Sequence, residues 1–164
     1  MKQLSLVRHA KSSWSNHHLK DFDRPLNDRG LRDAPAMANH LLERDLVPDF
    51  IISSAANRAQ TTARIMAEIL LGDAEQIVTE TELYAASAEH LLSQIRMVGN
   101  QVEHLMLVAH NPSITELLDI LVDGAGQDMP TCSVAVIGLD ISDWRQLLPG
   151  TGMLNHFMSP KQLA

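Results

Sequence analysis

An arginine and a histidine stand side by side at Arg8-His9, closing the apolar run of Leu4, Leu6 and Val7. Neighbouring strand residues point to opposite faces. Both large polar groups can therefore serve one site only if the strand ends there and the chain turns into a loop. A fixed cation beside a nitrogen that can act as nucleophile or base suits the handling of an anion. Two further segments have the same character. Ile51-Ile52-Ser53-Ser54 runs into Ala55-Ala56-Asn57-Arg58-Ala59-Gln60-Thr61, which puts Arg58 near the start of a helix. Val108-Ala109 delivers His110-Asn111-Pro112 just before another helix. If these three strands are parallel neighbours, their loops leave one edge of the sheet, where open α/β sheets place ligands. Two guanidiniums, two imidazoles and two helix N-termini then converge. Arginine presents a planar fork matched to phosphate oxygens, and free amides at helix N-termini add to the attraction. The predicted ligand is a phosphate- or sulfate-like anion.

The elements that must position these residues can be read from hydropathy. Apolar runs of strand length fall at 3–8, 49–53, 105–109 and 134–139, with weaker candidates at 76–79 and 153–158. They are uniformly apolar rather than alternating, as in a sheet covered on both faces. Between them, helical periodicity covers 31–45, 57–71, 87–98 and 113–122, with Gly72 as a C-cap of the second and Pro112 near the start of the fourth. Alternation of strand and helix predicts an α/β fold: a three-layer α/β/α sandwich with a mostly parallel central sheet. Residues 10–27, with Trp14, His17, His18 and Pro25, show no period and read as a long surface loop.

At 164 residues the chain fits a single domain, 1–164, able to bury a core without disulfides or metal. Aromatic residues are only 4%, so that core must be aliphatic and methionine-filled. A net charge of −7 disfavours non-specific nucleic-acid binding, so an anion site here needs a local cluster of arginine. The single Cys132 excludes an internal disulfide. No stretch reaches the length of a membrane span, and the expectation is a cytoplasmic protein that engages neither nucleic acid nor membrane. Cys132 cannot be a Cys-x5-Arg nucleophile, because position 138 is glycine. Neither a Gly-x4-Gly-Lys-Ser/Thr loop nor a Gly-x-Gly-x-x-Gly turn is present. Adjacent His17 and His18 lack a carboxylate or thiolate cluster for metal, so no metal and no cofactor are expected.

Leu6-Val7-Arg8-His9-Ala10, Ser53-Ser54-Ala55-Ala56-Asn57-Arg58-Ala59-Gln60-Thr61 and Val108-Ala109-His110-Asn111, in that order, resemble the histidine phosphatase superfamily, which includes the phosphoglycerate mutases. Asp23-Arg24-Pro25-Leu26-Asn27, Leu83-Tyr84-Ala85 and Ser159-Pro160-Lys161 are similar to its SixA-type phosphohistidine phosphatase branch. The resemblance implies a phosphoglycerate mutase-like fold and a phosphatase with His9 as the transiently phosphorylated nucleophile. It also implies that Arg8, Arg58 and His110 bind the phosphoryl oxygens. The nucleophile must be neutral, and a backbone carbonyl accepting its other ring N–H would fix the tautomer. The implied partner is a phosphohistidine-bearing protein of phosphorelay or phosphotransferase-system type.

The chain departs from the mutase pattern at three places. Ala10 replaces a glycine, Ser15 stands where an asparagine is usual, and Thr81 occupies the place of the acid that protonates alkoxide leaving groups. Glu82, one residue away, is a candidate displaced donor, as are Asp21 and Asp23 of the long loop. An alkoxide gains about 10²–10⁴-fold from such an acid. An imidazole, with an ordinary pKa near 6.5, departs without it, which tilts the substrate toward phosphohistidine. The alternatives are a phosphatase of small phosphate esters and a non-catalytic phosphoprotein-binding module. Lys11, Ser12 and Arg24 lie where the loop could touch the phosphate or the leaving side, or simply face solvent.

Overall fold

Strand and helix alternate along the chain as the hydropathy requires. The computed structural model describes residues 1–163. In them six strands form one sheet: β1 (Lys2–Arg8), β2 (Phe50–Ser54), β3 (Val78–Glu80), β4 (His104–Ala109), β5 (Val134–Leu139) and β6 (Gly152–Met158). The helices are α1 (Asp28–Glu43), α2 (Asn57–Leu71), α3 (Ala88–Arg96), α4 (Ser113–Leu121) and the short α5 (Pro160–Leu163). The strand order is β3-β2-β4-β1-β5-β6. The β3–β2, β2–β4 and β4–β1 pairs are parallel, whereas β5 runs antiparallel to both β1 and β6. The sheet is thus mostly parallel, with one reversed strand. Among the described residues no helix is long and apolar enough to cross a membrane.

Alternation along the central strands sorts side chains between two cores. Leu4, Leu6, Leu105 and Leu107 pack on one face with Leu91 and Ile95 of α3, Leu117 and Leu121 of α4, and the buried Trp144. Val7, Ile51, Met106 and Val108 pack on the other with Met37 and Leu41 of α1 and Ala63 and Met66 of α2. Trp144 can be buried because its indole N–H donates to the Val102 carbonyl at 2.8 Å.

Helix α1 begins at Asp28, before the residue that periodicity predicts, because the Asn27 side chain accepts the Gly30 N–H at 2.9 Å and caps it. Gly30 looks like a helix breaker in sequence, but it is a contact point. A Cβ there would collide with the backbone carbonyl of Lys11. That approach closes the base of the 10–27 loop, where Asn27 N–H donates to Lys11 O at 3.0 Å and Ser13 N–H to Pro25 O at 2.8 Å. Residues Asp21–Asp23 form a 3-10 turn at its far side. The predicted surface loop is therefore a pinned excursion rather than a free one, and Ser12 and Arg24 within it are buried.

Candidate active site

Strands β2, β4 and β1 lie side by side, so the three polar strand ends emerge together. Arg8 is the last residue of β1, and the His9 N–H donates across to Ala109 O of β4 at 3.1 Å. From the reversed side, Cys132 N–H reaches Arg8 O at 3.0 Å and His9 O at 3.1 Å. The His9 and His110 rings are 5.0 Å apart between centroids and tilted by 54°. Arg8, His9, Arg58 and His110 line one cavity of about 220 Å³, together with Arg24 and Trp14. A larger groove of about 450 Å³ between α1 and β6 carries His40, Arg44 and His156 but none of these groups.

Burial, with the repulsion of His110, Arg58 and Arg8, lowers the His9 pKa to about 3, against the opposing pull of its bond to Ala10. Burial, with Arg58 and Arg8, lowers that of His110 to about 4, with Asp21 opposing. Both rings are neutral near pH 7, so each carries a single N–H. His9 Nδ1–H donates to the Ala10 carbonyl at 2.8 Å, which leaves Nε2 with its lone pair available. His110 Nε2 lies 2.8 Å from the Ser54 hydroxyl, which already accepts the Ala56 N–H at 3.2 Å. With the Ser54 proton donated to His110 Nε2, the His110 ring proton resides on Nδ1. Among the described residues that Nδ1 is buried without a partner, as is Arg8 Nε. Buried donors of this kind call for an acceptor. One imidazole thus offers a lone pair, while its neighbour and Arg8 offer unspent N–H groups.

These rings make the fold acid-sensitive. In the unfolded chain each histidine takes a proton near pH 6.5, whereas the folded rings resist until about pH 3 and 4. Unfolding therefore binds protons, and stability falls as pH drops from 6.5 toward 4. Calorimetric Tm should decline over that window, and His110→Asn should flatten the decline. An unchanged slope in the variant would refute this source of sensitivity.

The loop acid Asp21 is a clamp. Its carbonyl accepts Arg58 Nη1 at 2.7 Å and its Oδ2 accepts Arg58 Nη2 at 3.0 Å. Arg24 Nη1 donates to Oδ1 at 2.8 Å and the Tyr84 hydroxyl to Oδ2 at 2.6 Å. Tyr84 foremost, then Arg24 and Arg58, hold the Asp21 carboxyl well below the usual carboxylate range, although burial opposes them. The same bond raises the Tyr84 pKa. Asp21 is accordingly a fixed carboxylate with no proton to give. Asp23 and Glu82 are exposed, and neither lines the cavity. The structure brings Arg8, His9, Arg58 and His110 together and leaves the candidate donor Glu82 outside, on the 3-10 turn Thr81–Leu83.

Sequence reasoning missed two contributors, Ser54 and Thr62, and named two others, Asp21 and Arg24, without their contacts. Ser54 sits inside a quoted motif, but its bond to His110 has no sequence signal. Thr62 accepts the Ala10 N–H at 3.0 Å and donates to the Arg58 carbonyl at 2.8 Å, tying the first motif to the second. Asp21 and Arg24 are spaced i,i+3, which hinted at a local pair but not at the grip on Arg58.

The family model for the histidine phosphatase superfamily (branch 1) matches residues 4–85. An uncharacterized protein of Mycobacterium tuberculosis is 30% identical over 166 residues, covering 94% of this chain and 100% of that protein. Among solved structures, a candidate phosphohistidine phosphatase SixA from Agrobacterium tumefaciens is 30% identical with a TM-score of 0.83, covering 97% of this chain and 98% of its own. A protein histidine phosphatase SixA complexed with tungstate has the same fold at a TM-score of 0.83 and 23% identity, covering 99% of each chain. The family model spans Arg8, His9 and Arg58, and with a likeness at 30% identity over 97% of the chain it means that this chain belongs to the histidine phosphatase superfamily.

Proposed function

We propose that this protein is a phosphatase that removes the phosphoryl group from protein phosphohistidine through a covalent intermediate on His9. Membership of the superfamily supports phosphatase activity. The observation that carries the choice of substrate is the absence of any available acid: among the described residues no Asp or Glu lines the cavity, and Asp21, which grips Arg58, is held ionised by Tyr84, Arg24 and Arg58. A leaving group that needs a carboxylic acid is poorly served here, and one that leaves as neutral imidazole is well served.

In this reading His9 Nε2 attacks phosphorus as the bond to the substrate's ring nitrogen breaks. The substrate ring carries a proton from solvent on its far nitrogen, so the bonding pair that stays on the leaving nitrogen gives a neutral imidazole. Water then attacks the phosphoryl group on His9, and the His9–phosphorus bond breaks in the same sense. Both steps expel an imidazole, so what suffices for the second suffices for the first. Splitting the displacement in two is the benefit of covalent catalysis. Arg8, Arg58 and the His110 Nδ1–H supply donors where negative charge gathers on the transferring oxygens, and the reading uses no metal or cofactor. The partner is a phosphohistidine-bearing protein of the phosphorelay or phosphotransferase-system kind.

Turnover of a phosphohistidine protein, sugar phosphates and phosphoglycerate, measured side by side, tests this. The alkyl esters are expected to be slower by about 10²–10⁴-fold, the value of the absent general acid. Equal or faster turnover of an alkyl ester would overturn the substrate assignment, and phosphoprotein binding without turnover would overturn the enzyme.

A further inference from the structure

Trp14 is 67% exposed, the largest exposure of any aromatic side chain in the described residues, yet it lines the cavity that holds His9. One face of its ring is covered by the Arg24 guanidinium, whose central carbon lies 3.2 Å from the ring centroid. Arg24 does not need the ring to stay in place. Its Nε donates to Ser13 O at 3.1 Å, its Nη1 to Asp21 Oδ1 at 2.8 Å and its Nη2 to the Ser12 hydroxyl. The loop beneath is closed by the Lys11–Asn27 and Ser13–Pro25 backbone bonds. The indole is thus laid on a fixed, buried cation.

An aromatic plane held this way loses little freedom when something rests on it, which is the condition for useful binding. The phosphoryl group belongs beside Arg8, His9 and Arg58, so what remains of a substrate in the cavity is the group attached to phosphorus. Flat rings gain offset or edge contact with an indole beyond simple burial. An alkyl group gains burial alone.

We propose that Trp14, backed by Arg24, is a specificity-determining residue: it is the platform for a planar ring in the leaving group. The proposal rests on the phosphatase reading above and deepens it. Under that reading the ring is the substrate's imidazole, and Arg24 acts through Trp14 as a positioning residue.

Two small substrates separate the contributions. N-phosphoimidazole and phosphoramidate both present a phosphorus–nitrogen bond, but only the first carries a ring. The readout is the ratio of their kcat/KM values, which cancels any shared loss from a disturbed loop. Trp14→Ala should lower that ratio by about five- to tenfold, mainly through KM for phosphoimidazole, the size of an aromatic contact. Trp14→Phe should restore most of it. A ratio unchanged in Trp14→Ala, or one not restored by Trp14→Phe, would overturn the platform while leaving the phosphatase reading intact. Failure of the wild type to turn over either compound would overturn both.

Discussion

Replacing His9 by alanine is expected to abolish turnover, with a loss of at least about 10⁴-fold, as for other residues whose side chain forms the covalent intermediate. The geometry argues for so large an effect. Both rings in the pocket are neutral near pH 7, but only His9 has its proton turned away, into the Ala10 carbonyl at 2.8 Å. With Ser54 donating to its Nε2 at 2.8 Å, His110 has its lone pair engaged and its proton on the buried nitrogen. It cannot stand in as nucleophile without reversing that bond. Incubation of the wild type with a radiolabelled phosphohistidine protein should trap label that is acid-labile and alkali-stable. His9→Ala should show none. Label persisting in the variant would move the nucleophile elsewhere, and label absent from the wild type would remove the covalent step.

The second large effect is expected at Arg58. Arg58→Ala should lower kcat by about 10²–10³-fold, the range for losing a preorganised donor to transition-state charge. Arg58→Lys should recover little, because an ammonium cannot present the planar fork. The structure adds a second cost. Without Arg58 the Asp21 carboxylate loses one of its three donors, and its charge beside the pocket is less compensated. Arg58→Ala combined with Asp21→Asn should therefore be less impaired than the two single losses multiplied together. A double-mutant cycle in kcat/KM measures this coupling. Strict multiplication would show that Asp21 does not act through Arg58.

The sheet and the four pocket residues could be read because each leaves a local signature. Uniform apolar runs mark buried strands, and polar residues at their ends mark a site. Direction leaves no such mark: the run Val134–Leu139 looks the same whether parallel or antiparallel, and β5 proved to be reversed. Gly30 reads as a breaker because the residue it must admit, Lys11, is distant in the chain. The ordering of residues 10–27 was hidden for the same reason, since Asp21 is held by Arg58 and Tyr84, 37 and 63 positions further on. Glu82 illustrates the converse. Its proximity in sequence to the expected acid position suggested a donor, but it lies exposed on the Thr81–Leu83 turn and, like Thr81, does not line the cavity.

The order of the central strands has a consequence for when the protein becomes active. Arg8, His9 and Arg58 all lie in the first half of the chain, yet β1 and β2 are joined only through β4, which pairs Gln3 with His104 on one side and Phe50 with Leu105 on the other. Contacts between such distant segments are slow to form. Until β4 slots between its neighbours, β1 and β2 share no sheet edge, and the first motif meets the second through Thr62 on Ala10 and Asp21 on Arg58. The N-terminal half alone lacks His110, which lines the cavity beside Arg8, His9 and Arg58. Insertion of β4, whose end leads into His110, therefore both sets the common sheet edge and completes the pocket.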